Sequence, residues 1–123
     1  MSVFDGCQLY VSLRSPFARR VRVAFLEHQV QFKETALNVL EFNADLARHN
    51  PLRRVPTVVL KSGQDIVDSD YILQGFYSET PGSSWMPKLQ EAKFAALNWS
   101  ALAMGICEKT VEYYLEKLTP PAI

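Results

Sequence analysis

At 123 residues, with 48% hydrophobic and 21% charged residues, the chain has the make-up of one globular domain with room for a real core. Thirteen basic residues balance thirteen acidic ones, so no net field steers nucleic acid or an anionic membrane toward it. Cys7 and Cys107 show neither CxxC spacing nor a neighbouring His/Cys cluster, which argues against a metal site and fits a reducing compartment.

The first six residues lack the basic start and apolar core of a secretion signal. The least polar long stretch, 95–107, is broken by Asn98 and Ser100 and is too short to span a bilayer. A cytoplasmic protein that crosses no membrane is therefore expected. In chain order, Leu9-Tyr10-Val11-Ser12-Leu13 reads as a first strand. Ser15-Pro16 then reads as a helix start, with a hydroxyl at the N-cap and proline at the first helical position. Phe17, Val21, Ala24, Phe25 and His28 fall on one face of that helix. Arg19, Arg20 and Arg22 lie largely off it and are read as solvated charges.

Residues 30–37 suggest a second strand, and 41–49 a short helix closed by Asn50-Pro51. Val55-Pro56 stands directly before the apolar run Thr57-Val58-Val59-Leu60. A proline entering a strand there suggests a rigid turn that leaves the backbone groups of Val55 free. Residues 57–61, a Ser62-Gly63 turn and Asp65-Ile66-Val67 make a hairpin. Asp68-Ser69 opens a third helix carrying Ile72, Leu73 and Phe76. The order βαβ, α, ββα is an α/β, thioredoxin-like arrangement over residues 1–78.

Residues 79–87, rich in Ser, Pro and Gly, read as a linker. Beyond them, Phe94, Leu97, Ala101, Met104, Val111, Leu115 and Leu118 repeat at helical spacing, and Trp99, Leu102, Ile106 and Tyr113 add a second apolar stripe. One long helix over 89–118 is predicted, roughly 45 Å in length. A compact chain of this size has a radius of gyration of only about 14 Å. Apolar surface on two sides of that helix thus asks for a cover, and a second copy of the chain is the expected one.

Taken together, Ser15-Pro16-Phe17-Ala18-Arg19-Arg20-Val21-Arg22, then Asn50-Pro51-Leu52-Arg53-Arg54-Val55-Pro56-Thr57, then Asp68-Ser69 before a helix resemble the glutathione transferase superfamily in its bacterial serine-type branch. The resemblance covers the first domain and reaches the first helix of the all-α second domain, which leaves 88–123 as a truncated start of that domain. It implies a protein that binds glutathione as substrate, with no separate cofactor, and pairs as a homodimer. Ser15 would be the catalytic residue, donating to the glutathione sulfur and holding it as thiolate. Val55, held by a cis Pro56, would pair through its backbone with the cysteinyl residue. Asp68 and Ser69 would take the γ-glutamyl end, and Arg54 or Arg53 the glycine carboxylate.

Serine at position 15 also separates chemistries. A cysteine there would form mixed disulfides; a serine only stabilises the sulfur of the substrate. The chain departs from the family pattern at Arg53, where relatives commonly carry glycine, and at Met104, where many carry an acid. Two other readings stand beside the transferase-like one. One is a non-catalytic module of the same fold for dimerisation or scaffolding. The other is a thiol oxidoreductase acting through Cys7, which this reading sets ahead of the first strand.

Overall fold

The computed structural model describes residues 2–119 and 121, in two compact units that meet in sequence between Ser83 and Ser84. The first unit holds β1 (Cys7–Val11), α1 (Pro16–Glu27), β2 (Phe32–Ala36), α2 (Ala44–His49), β3 (Thr57–Val59), β4 (Asp65–Val67) and α3 (Ser69–Ser78). Its four strands lie in the order β2-β1-β3-β4. β1 runs parallel to β2 and antiparallel to β3, and β4 closes an antiparallel hairpin with β3. This is the predicted α/β, thioredoxin-like order.

Alternation along β1 decides which side chains go where. Cys7, Leu9 and Val11 enter the main core with Ala18, Val21, Ala24 and Phe25 of α1 and Ile72, Leu73 and Phe76 of α3. Phe25 is its centre, with ring centroids 5.5 Å from Phe4, 5.5 Å from Phe32 and 5.3 Å from Phe76. Tyr10 points to the other face, where its hydroxyl donates to Asp45 of α2. Burial, and then that hydrogen bond, push the Tyr10 phenol up to about 12, so it stays neutral across the physiological range.

Several boundaries differ from those predicted, each for a local reason. β1 begins at Cys7 and ends at Val11 instead of spanning 9–13, because the chain turns where the Ser15 N–H donates to the Ser12 carbonyl at 3.0 Å. Cys7 is therefore the first residue of the strand and not ahead of it. β2 loses Val30, whose N–H is taken by the Phe25 carbonyl at 2.9 Å as Gln29, at φ 57°, ends α1. α2 starts at Ala44, not 41, since the Asn43 side chain caps it by accepting from the Leu46 N–H at 2.9 Å. In α1, Ala18 is buried while Phe17 is only half-buried.

The second unit is dominated by α4 (Gln90–Leu118), 29 residues long. Phe94, Trp99, Leu102, Ile106 and Tyr113 on it are exposed. Among the described residues, no helix is long and apolar enough to cross a membrane.

Candidate functional site

The pairing register brings the polar motifs of the first unit to one end of the sheet. Tyr10 pairs with Thr57, and Thr57 with Val67, forming one rung across β1, β3 and β4. Both pairings are antiparallel, so the chain after β1, the chain before β3 and the chain after β4 all lie at the same end of the strands. Ser15 lies just beyond the rung on the first path, Val55-Pro56 just before it on the second, and Asp68-Ser69 just after it on the third.

Ser15 is the N-cap of α1, and its Oγ accepts from the Ala18 N–H at 3.1 Å. A hydroxyl has two lone pairs and one proton. The cap uses a lone pair, and among the described residues the Ser15 proton has no acceptor. It sits at the positive end of a 12-residue helix.

The second path is organised by the amide of Asn50, the residue that also ends α2. Asn50, 1% exposed, donates to the Arg54 carbonyl at 3.1 Å and to Thr57 Oγ1 at 2.9 Å, and accepts from the Leu52 N–H at 2.9 Å. The Thr57 hydroxyl in turn donates to the same Arg54 carbonyl at 2.8 Å. The loop is thereby tied at both ends. Between them the Val55-Pro56 bond is cis, and neither the N–H nor the C=O of Val55 has a hydrogen-bond partner among the described residues. Such a backbone pair is what an extended peptide needs in order to add on.

Arg53 holds φ 54°, a region glycine enters without penalty. Its departure from the family pattern thus falls where the backbone itself suits glycine. Its guanidinium lies 5.5 Å from the centroid of the Phe42 ring. Arg54 is exposed and makes no ion pair among the described residues.

Asp68 caps α3 by accepting from the Asp70 N–H at 2.9 Å, with its own φ at 73° and ψ at 130°. A non-glycine residue there costs on the order of 1–3 kcal/mol, held by surrounding structure. Ser69, 5% exposed, accepts at Oγ from Arg20 Nη1 at 3.2 Å. Arg20 is not the solvated charge that periodicity implies: it stands one turn beyond Pro16 and so faces the same end of the sheet. The packing of α1 against α3 brings Ser69 and Asp70 to that position.

Cys7 lies outside this constellation. It starts β1, at the strand end away from Ser15, is wholly buried, and has its thiol pushed up to about 11 mainly by burial. A thiol so protonated is a poor nucleophile. In native protein treated with an aromatic disulfide reagent, Cys107 is expected to react while Cys7 waits for unfolding. Reaction of Cys7 at the rate of a free thiol would revive the oxidoreductase reading. Among the described residues, no group of three or more His, Cys, Asp or Glu is placed to hold a metal.

Comparison with known proteins gives one consistent picture. A family model for the glutathione S-transferase N-terminal domain matches residues 14–78. The uncharacterized GST-like protein YibF of Escherichia coli (strain K12) is 29% identical over 117 residues, covering 94% of this chain and 57% of that protein. A glutathione S-transferase from Methylobacterium radiotolerans, solved in complex with glutathione sulfonate, aligns with a TM-score of 0.87 at 29% identity, over 93% of this chain and 54% of its own. Another from Methylobacillus flagellatus, solved with glutathione bound, aligns with a TM-score of 0.84 at 30% identity, over 94% of this chain and 57% of its own. The chain spans little more than half the length of these relatives.

Proposed function

Since the chain belongs to the glutathione S-transferase family, we propose that it binds glutathione across the strand ends of β1, β3 and β4 that carry Ser15, Val55 and Ser69, and keeps its sulfur ionised for attack on an electrophile. The observation that carries this reading is the Ser15 hydroxyl, whose cap to Ala18 leaves its proton undirected at a helix N-terminus. The unpartnered Val55 backbone supports pairing with the cysteinyl residue, and Ser69 with Asp68 at the start of α3 supports capture of the γ-glutamyl end. Arg54 or Arg53 takes the glycine carboxylate in this reading. The relatives solved with glutathione and its sulfonate support the choice of ligand.

The energetics are modest. Lowering a thiol from about 8.5 to about 6.5 requires roughly 2.7 kcal/mol in favour of the anion. A hydrogen bond to a charged group contributes about 1.5–3 kcal/mol, and a helix N-terminus about 0.3–2 kcal/mol. Ser15 and α1 together suffice.

Calorimetric titration of glutathione into the purified chain tests the proposal. Binding is expected, weakened about tenfold or more in Ser69→Ala. In Ser15→Ala, binding is expected to hold within about fivefold near neutral pH while the bound sulfur titrates about one to two units higher, toward its free value of about 8.5 with α1 still in place, followed by thiolate absorbance. Unaltered thiolate formation in Ser15→Ala would sink the catalytic assignment. A chain with no glutathione affinity that still self-associates tightly would leave the scaffold reading. Exposed Phe94, Trp99, Ile106 and Tyr113 on α4 favour self-association as a homodimer in either case.

A further inference from the structure

We infer that Arg20 is a positioning residue for γ-glutamyl recognition, acting through the Ser69 hydroxyl; the inference rests on the glutathione reading of the site. Arg20 Nη1 donates to Ser69 Oγ at 3.2 Å, and a guanidinium has no acceptor. One lone pair of Ser69 is therefore filled by a donor that cannot take the hydroxyl proton back. That proton turns away from Arg20. Ser69 is 5% exposed, its neighbours restrict where the hydroxyl can go, and its N–H makes no hydrogen bond among the described residues. Hydroxyl and N–H together form a two-donor claw for a carboxylate.

The guanidinium is itself fixed. Its Nη1 lies 2.5 Å from Asp70 Oδ1, one residue further into α3. Asp70 is largely exposed while Arg20 is mostly covered, so the carboxylate anchors the arginine from outside and leaves Ser69 the inner contact. The bridge also links α1, which begins at Ser15, to α3, which begins at Ser69. The sulfur end and the γ-glutamyl end of one tripeptide are thereby held in one frame. Both contacts fall on one nitrogen, Nη1, which directs its two N–H bonds to Ser69 and Asp70.

A binding cycle on the full chain tests this. Glutathione affinity is measured for the wild type, Arg20→Met, Ser69→Ala and the double variant, with thermal unfolding alongside. Each single change is expected to weaken binding about tenfold, and the double variant also about tenfold, where independent action gives about a hundredfold. Asp70→Asn, which retains Arg20, provides a second route and is expected to lose about threefold only when Ser69 is present. An additive double variant, or Arg20→Met with unchanged affinity, overturns the inference while the glutathione reading stands. A wild type that takes up no glutathione overturns both.

Discussion

Phe25→Ala is expected to destabilise the first unit by about 3–5 kcal/mol, the usual cost of deleting a fully buried ring. Phe25 is 0% exposed and touches three other rings, Phe4 from the N-terminal segment, Phe32 of β2 and Phe76 of α3. Those rings come from separate elements, so no small movement closes the cavity left behind. Domains of this size have only about 5–15 kcal/mol to lose. A fall in unfolding temperature of roughly 12 °C or more follows from that cost. Phe25→Leu should recover most of it, because it restores volume without the ring. A measured cost below about 1 kcal/mol for the alanine variant would mean that the core is not built around this side chain.

Asn50→Ala is expected to cost about 2–3 kcal/mol and to weaken glutathione binding as well. The amide makes three hydrogen bonds from a site that is 1% exposed. Each is worth about 0.5–1.5 kcal/mol net, and the buried partners left behind raise the cost further. The Arg54 carbonyl keeps the Thr57 hydroxyl, so the loop loosens without collapsing. Thr57→Val, which removes the hydroxyl at nearly constant shape, should cost about 1–2 kcal/mol, and the pair should be strongly non-additive because the two share a partner. Denaturant unfolding of the two single variants and the double variant checks this. Asn50→Ala within about 0.5 kcal/mol of wild type would show that the clasp does not hold the loop.

Both expectations turn on residues that a linear reading treats in part only. Phe25 was legible as core because it falls on the apolar face of a periodic helix. Its three aromatic partners were not, since they are brought in by β2, α3 and the segment before β1. Asn50 was legible as a helix stop beside Pro51. Its role as a clasp depends on Thr57, seven residues on, facing back across the loop, which no local pattern records. Arg20 is similar. Periodicity removed it from the core face of α1 and left it to solvent, while Ser69 and Asp70 stand 49 and 50 residues away in sequence.

The sequence by itself determined the element order, the Ser15-Pro16 and Asp68-Ser69 helix starts, the hairpin and the long helix, because caps, breakers and periodicity act over a few neighbouring residues. It also held the three polar motifs at strand ends to which the proposed chemistry is assigned. Only the tertiary structure decided that those motifs share one end of the sheet, that Asn50 ties down the loop before β3, and that Arg20 reaches Ser69. These relations join residues far apart along the chain, and they exist only once strand register and helix packing have fixed where each element lies.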